Sequence, residues 1–173
     1  MRIALAADHN GIAMKSRLVA WLTDQGYEVD DLGSHAGDLG PRGTDLPSHG
    51  ADLASHGHGL GSRGGGVVDY PALCVAVAGR VTSGACERGI VVGGTGGGEV
   101  IACNKIRGIR AGLGHSVFLA EISAAHNDTN VLVLGAKVIG EDEALRIVEV
   151  WLTTPFKGGV HQNRLDQIAA LER

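Results

Sequence analysis

Aromatic residues are scarce in this sequence, which has two Trp, two Tyr and two Phe among its 173 residues. Proteins that bind single-stranded nucleic acid, and many that bind saccharides in open clefts, depend on aromatic stacking, so both kinds of site are disfavoured. The formal net charge is −4, and Lys and Arg are scattered, which gives no basic surface for a nucleic-acid backbone. We expect a small-molecule ligand and no nucleic-acid partner.

Cysteine and long hydrophobic runs are also limited. The three cysteines, Cys74, Cys86 and Cys103, are odd in number and lack Cys-x-x-Cys spacing, which disfavours a disulfide framework or a zinc knuckle and favours buried free thiols. No run approaches the roughly 18 apolar residues of a membrane span, and the N-terminus has no signal-peptide pattern. We therefore expect a cytoplasmic protein without a membrane partner.

Short apolar segments alternate with amphipathic ones through most of the chain. Strands are predicted at 2–7, 27–32, 89–92, 109–113 and 131–134. Helices are predicted at about 12–22, 71–81, 99–105, 116–125 and 141–152. Parallel strands need crossover connections, and this alternation supplies them, so we predict an α/β fold with a roughly five-stranded, mostly parallel sheet and helices on both faces. The length and a hydrophobic content of 44% suit a single domain over 1–173.

Residues 34–66 interrupt this alternation. They are rich in Gly, Ser, His and Asp, and they contain three similar phrases that begin at Ser34, Ser48 and Ser55. Sequence of this kind cannot bury enough surface to offset its ordering entropy, which predicts an inserted surface loop. Such a long loop could also cover an active site or a subunit contact. A less favoured alternative is a zinc or nickel site that draws its ligands from His35, His49, His56, His58, Asp38, Asp45 and Asp52.

Two turns are placed for ligand binding, because ligands of open parallel sheets bind beyond the carboxyl ends of the strands. The first, 8–11, reads Asp-His-Asn-Gly and brings a carboxylate and an imidazole to the end of the first strand. The second, 93–98, is almost without side chains, so its N–H groups and the following helix can hold an anion. Glu99 after this turn is either a carboxylate that complements the helix dipole or a general base. His126 either packs at a helix end or takes part in catalysis.

Seven motifs along the chain favour the catalytic alternatives. They are Asp8-His9-Asn10-Gly11, Asp69-Tyr70-Pro71, Gly94-Thr95-Gly96-x-Gly98, Ala102-Cys103-Asn104-Lys105, Gly108-Ile109-Arg110-Ala111, His126-Asn127-Asp128-Thr129-Asn130-Val131-Leu132 and His161-Gln162-x-Arg164. In order and approximate spacing, the chain resembles the ribose-5-phosphate isomerase B family, which includes galactose-6-phosphate isomerase subunits. The resemblance covers nearly all of the chain outside 34–66. It implies a Rossmann-like, three-layer α/β/α domain, aldose–ketose isomerisation through an enediol, no metal or other cofactor, and a homodimer or tetramer with active sites between subunits.

The resemblance also implies roles for individual residues. His126 would open the sugar ring while Asp8 orients its hydroxyls, and Thr95 would belong to the oxyanion-binding loop. Many family members carry a catalytic cysteine at the position of Gly93, whereas the actinobacterial-type branch carries a glutamate at the position of Glu99, so Glu99 would be the base. Substrate contacts would come from His9, Tyr70, Gly94, Gly96, Gly98, Asn127, Lys137 and Arg164.

The phosphate-binding end departs from the family pattern. The family usually has two arginines four residues apart near the C-terminus and another basic group after the last strand, and these positions are Val160, Arg164 and Lys137 here. The loss of one charge-assisted contact of about 1.5–3 kcal/mol leaves two possible substrates, a pentose phosphate or another sugar, such as a tetrose phosphate or an unphosphorylated aldose. A non-catalytic sugar-binding subunit is a third alternative, and the joint presence of Asp8, Glu99 and His126 disfavours it.

Overall fold

The computed structural model describes residues 1–33 and 69–172, so the predicted loop at 34–66 and its metal-site alternative lie outside the described residues. Within them the strands are β1 (Arg2–Ala7), β2 (Glu28–Asp31), β3 (Arg88–Gly93), β4 (Ala111–Leu113) and β5 (Val131–Gly135). The helices are α1 (Ile12–Asp24), α2 (Tyr70–Thr82), α3 (Gly97–Cys103), α4 (Val117–Asn127), α5 (Glu141–Thr153) and α6 (Val160–Ala169).

The strands form one parallel sheet in the order β2-β1-β3-β5-β4. The predicted α/β class and parallel sheet are therefore confirmed. The order places β1, β3 and β5 side by side, so the turns after these three strands meet at the carboxyl edge of the sheet. The strand β4 is shorter than predicted, because Ile109 and Arg110 precede its pairing with β5.

Helices cover both faces of the sheet and give the molecule three layers. One core contains side chains of α1, α4 and α5, and the other contains side chains of α2 and α3. Because both faces are buried, β5 reads as a continuous apolar run rather than an alternating one. Trp151 is fully buried in the first core, and its indole N–H donates to Thr129 Oγ1 at 2.8 Å. No helix among the described residues is long and apolar enough to cross a bilayer.

The helix α6 was not among the predicted elements. Leu165 is its one buried residue, so its sequence carries no apolar stripe, which is the usual sequence signal of a helix. Two glycines with positive φ, Gly158 (62°) and Gly159 (58°), turn the chain into this helix. The helix lies against the end of α4, and because α4 runs antiparallel to the strands, this contact is at the amino edge of the sheet.

Candidate active site

The turns after β1, β3 and β5 are tied together by backbone hydrogen bonds at the carboxyl edge. Asp8 N–H donates to the Val92 carbonyl at 2.9 Å. Lys137 N–H donates to the Gly94 carbonyl at 2.9 Å, and the preceding amide of Ala136 donates to the carbonyl of Gly93 at 2.9 Å. The fold thus holds the first predicted turn, the glycine loop and the basic residue after the last strand as one unit.

The Asp8 carboxylate is buried in the first turn, where N–H groups surround it. Its Oδ1 accepts from the backbone of Asn10 at 2.7 Å and of Gly11 at 3.2 Å, and its Oδ2 accepts from Asn10 Nδ2 at 3.0 Å. The same Asn10 nitrogen lies 3.2 Å from His9 Nε2. A Cβ atom at Gly94 would lie 3.3 Å from Asn10 Nδ2, so this turn also touches the glycine loop.

Glu99 occupies the space that the missing side chain of Gly93 leaves open. A Cβ atom at Gly93 would lie 1.8 Å from Glu99 Oε1 and 2.3 Å from its Cδ, which no real structure tolerates. Glu99 stands in the first turn of α3 with only 4% of its surface exposed. Its carboxylate oxygens accept no hydrogen bond from the described residues. Within the described part of the chain, the carboxylate is therefore held by packing at the edge of the sheet, and neither oxygen is engaged by a hydrogen bond.

The glycine loop presents its backbone to the same space. Gly96 is the N-cap of α3 in the left-handed conformation (φ 80°), and no side chain caps the helix there. The first N–H groups of a helix lack partners within it, so those after Gly96 can donate to an oxyanion. Thr95 Oγ1 lies 3.5 Å from the Gly97 amide, which is a long contact that a ligand oxygen can replace.

Two residues that the sequence reasoning missed position this loop. His115 Nε2 lies 3.0 Å from the Thr95 carbonyl oxygen, and a Cβ atom at Gly135 would lie 2.7 Å from that oxygen. In a trans peptide the carbonyl and the next N–H point in opposite directions. A Thr95 carbonyl held toward His115 therefore turns the Gly96 N–H to the other side of the peptide. Nothing in the local sequence signals these contacts, because His115 follows β4 while Thr95 follows β3.

The predicted binding residues Tyr70 and Lys137 border the loop. A Cβ atom at Gly98 would lie 2.5 Å from the Tyr70 hydroxyl oxygen, so this glycine allows the phenol to approach the backbone. The Lys137 side chain passes Gly94, with its Cδ 3.7 Å from the position of a Cβ atom there. The carboxyl edge thus brings together nine predicted residues: Asp8, His9, Tyr70, Gly94, Thr95, Gly96, Gly98, Glu99 and Lys137.

His126, Asn127 and Arg164 lie at the other edge of the sheet. His126 and Asn127 end α4 just before β5 begins, whereas Glu99 follows the end of β3. The two strands are paired, and β5 rises by roughly 13 Å from Val131 to Gly135, so this length of strand separates the two edges. The chain therefore divides the predicted catalytic residues between two edges.

The amino-edge group has its own internal contacts. The rings of His126 and His161 stack with their centroids 4.0 Å apart and an interplanar angle of 11°. The pKa of His161 is lowered from its ordinary value of 6.5. Partial burial is the largest cause, and the nearby positive charges of His126, Arg164 and Lys157 add to it. Arg110 holds the end of α4, since its Nε donates to the Asp128 carbonyl at 2.8 Å and its terminal nitrogen pairs with the Asp128 carboxylate at 2.7 Å.

The cysteines are free and buried, as predicted. Cys74 lies beneath α3, with its Sγ 3.7 Å from the Glu99 carbonyl oxygen. The hydrogen bond with Cys103 and burial raise the pKa of the Cys74 thiol far above its ordinary range. Cys74 is therefore a packing residue of the helix that carries Glu99, and a nucleophilic role does not suit it.

Comparisons with known proteins identify the family and the fold of this chain. The profile of the family described as Ribose/Galactose Isomerase matches residues 3–64 and 52–168. Ribose-5-phosphate isomerase B of Escherichia coli is 36% identical over 172 residues, which cover 99% of this chain and 97% of that protein. The structure of ribose-5-phosphate isomerase B from Clostridium thermocellum has a TM-score of 0.80 at 38% identity, covering 99% of this chain and 97% of that one. The structure of the Mycoplasma genitalium enzyme with bound ribulose-5-phosphate has a TM-score of 0.77 at 29% identity, covering 99% and 95%.

The chain belongs to the ribose/galactose isomerase family. Its relatives are aldose–ketose isomerases, and it is an enzyme of this class with the Rossmann-like α/β/α fold that the resemblance implied.

Proposed function

We propose that this isomerase acts on a small sugar phosphate and interconverts ribose 5-phosphate and ribulose 5-phosphate, with Glu99 as the base. The observation that carries the proposal is the Glu99 carboxylate packed into the space beside Gly93, at the edge where the glycine loop presents its amides. The names of the relatives support the substrate, as does the ribulose-5-phosphate bound in the Mycoplasma genitalium structure.

The proposed chemistry moves one proton between adjacent carbons. Glu99 removes the proton from C2 of the open aldose, and the C–H electron pair forms the double bond of an enediolate as the carbonyl oxygen at C1 becomes an oxyanion. The N–H groups after Gly96 stabilise this charge as it develops. The proton of the C2 hydroxyl passes to the oxygen at C1, which leaves the negative charge on the oxygen at C2. Glu99 then returns its proton to C1 as the C2 oxygen re-forms a carbonyl, so the protons balance and the reaction needs no other reactant.

A cyclic sugar must open before its C2 proton becomes acidic, and we assign this step to His126 with Asp8. The two residues lie at opposite edges of one chain, so a second copy would supply His126 to the site that contains Glu99. The stacked His161 orients the His126 ring for this role. The symmetry of a dimer would complete two such sites, each with one edge from each copy.

The phosphate-binding end would then combine Lys137 of one copy with Arg164 of the other. Val160 is the first residue of α6 and is 63% exposed. Because its side chain is an isopropyl group, it contributes no charge to this contact. This residue is the observation that favours the second candidate, isomerisation of another sugar, such as a tetrose phosphate or an unphosphorylated aldose.

The test offers ribose 5-phosphate, erythrose 4-phosphate and unphosphorylated ribose and allose to the purified protein and to Glu99→Gln. We expect turnover of ribose 5-phosphate and a loss of about 10²–10⁴-fold in kcat for the variant. Val160→Arg should lower KM for the phosphorylated sugar and leave kcat nearly unchanged, because it adds binding remote from the reacting carbons. Faster turnover of another sugar would replace the substrate, and an active Glu99→Gln would refute the base.

A further inference from the structure

The Asn10 side chain lies between two residues of the proposed site, and the mechanism above gives it no role. Its Nδ2 is 3.0 Å from Asp8 Oδ2 and 3.2 Å from His9 Nε2. The amide therefore contacts a carboxylate on one side and an imidazole on the other.

The chemistry of Asp8 fixes the direction of this amide. Asp8 Oδ1 already accepts two backbone N–H groups, and a carboxylate accepts hydrogen bonds without donating any. If the amide oxygen of Asn10 lay next to Asp8 Oδ2, two acceptors would face each other, which is unfavourable. The amide nitrogen therefore lies on the side of Asp8. An amide nitrogen carries two hydrogens, and one of them is directed to Asp8, which leaves the other for His9.

The direction of the amide in turn determines where His9 carries its proton. Because Asn10 Nδ2 is only a donor, His9 Nε2 must accept, and in a neutral imidazole the proton then resides on Nδ1. His9 Nδ1 is buried and has no hydrogen-bond partner among the described residues. Buried polar groups are nearly always paired, so we expect an N–H group in this state to take its partner from outside the described residues.

We infer that Asn10 is a positioning residue, which fixes His9 as a neutral Nδ1–H donor for an oxygen of the substrate. The inference rests on the proposed function for the identity of that oxygen, which belongs to the sugar or its phosphate. If His9 Nε2 carried a proton, it would face the N–H donor of Asn10 with a donor of its own, which is unfavourable. His9 therefore contributes a hydrogen bond without a positive charge. The cationic part of the substrate contact then falls to Lys137 and Arg164.

The tautomer can be measured without substrate, by long-range proton–nitrogen NMR of protein labelled with ¹⁵N-histidine. His9→Gln identifies the His9 signals by their loss. At mildly alkaline pH we expect the wild-type Nδ1 to show the shift of a protonated nitrogen and Nε2 that of an unprotonated one. In Asn10→Asp the new carboxylate accepts from Nε2–H, so the two shifts should exchange. Asn10→Ala removes the constraint without adding charge, and it should give averaged shifts even if Asn10→Asp does not fold.

Kinetics provide a second readout. Asn10→Ala should raise KM about tenfold and leave kcat nearly unchanged, because a contact to a spectator oxygen is made equally in the ground and transition states. Glu149→Gln, a charge change on the exposed side of α5, is the control and should alter neither the His9 shifts nor KM.

A proton on Nε2 in the wild type, or identical His9 shifts in wild type and Asn10→Ala, would overturn the inference. A protein with the expected tautomer that isomerises no sugar would instead refute the proposed function, so the two failures are distinguishable.

Discussion

The two edges of the sheet are built in different ways. At the carboxyl edge, hydrogen bonds between turns and the missing side chains of Gly93, Gly98 and Gly135 hold the site, and its carboxylates are buried. At the amino edge, side chains hold one another, through the ring stack at the end of α4 and the ion pair of Arg110 with Asp128. A backbone framework fixes positions closely, whereas side chains near solvent can adapt to an approaching surface.

Under the proposed function, the two edges would carry different parts of the reaction. Proton transfer at carbon requires a base and oxyanion donors within a few tenths of an ångström, which suits the carboxyl edge. The proposed ring opening and phosphate binding would use residues that a second copy brings to this edge. We therefore expect substitutions at the carboxyl edge and at the amino edge to have different effects.

The largest expected effect comes from mixing variants of the two edges. Glu99→Gln and His126→Ala should each lose about 10²–10⁴-fold in kcat as separate proteins. After unfolding and refolding together, half of the dimers would be hybrids with one intact site, which restores about a quarter of wild-type activity. Activity of the mixture should be followed against the ratio of the two proteins. No recovery in refolded mixtures that contain hybrid dimers would place both residues in one chain's site.

The next effect tests the space beside Glu99. Gly93→Ala places a methyl group where the carboxylate now lies, and we expect kcat to fall about 10²-fold because the base is displaced. Gly79→Ala in α2 is the matched control. A Cβ atom there meets nothing within 4 Å, so the change should leave kcat unaltered and raise the free energy of unfolding by about 0.5–1 kcal/mol. Equal activity of the two variants would contradict the packing described here.

A smaller effect is expected at the ion pair of the amino edge. Arg110→Met removes the contacts to the Asp128 carboxylate and carbonyl, and the free energy of unfolding in urea should fall by about 1–2 kcal/mol. Arg107→Met is the control, since the highly exposed Arg107 approaches Glu172 only at 3.8 Å and should change stability by less than about 0.5 kcal/mol. Equal losses in both variants would mean that Arg110 does not hold the end of α4.

The smallest effect concerns pH. The pKa of His161 is lowered in the folded protein, so the unfolded chain binds this proton at higher pH than the folded one does. The contribution of His161 to the free energy of unfolding is therefore fully present above the ordinary histidine pKa of 6.5. It is lost as the pH falls below that value, because protonation then favours the unfolded chain. His161→Phe keeps a ring in the stack and removes the titration. Its thermal midpoint should decrease less on acidification than that of the wild type, and parallel curves would exclude the contribution.

Much of the fold was predictable because the strands that form the centre of the sheet are buried on both faces. β1, β3 and β5 read as short apolar runs, and their bounds agree with the predicted ones to within a residue or two. The helix α6 was missed because a single buried residue leaves no periodic pattern. The order of the strands was not predicted, since it depends on which crossovers pack together.

The candidate site was predictable in part. Asp8 and Glu99 stand in turns after buried strands, and glycines beside them marked close approach. Gly135 and His115 were missed because each acts on Thr95 from another strand, and no local pattern records such a contact. The division of the site was within reach of the sequence, since His126 precedes a strand whereas the other catalytic candidates follow one.

The contact between Gly93 and Glu99 also bears on how such enzymes can diverge. A cysteine at position 93, which the resemblance assigns to many relatives, would need the volume that the Glu99 carboxylate fills. The two bases therefore exclude each other in space, and one cannot be added while the other keeps its place. A single substitution at either position would leave a chain with a displaced base or with neither. If Glu99 is the base, we expect such an intermediate to have low activity, which would favour keeping whichever base is present.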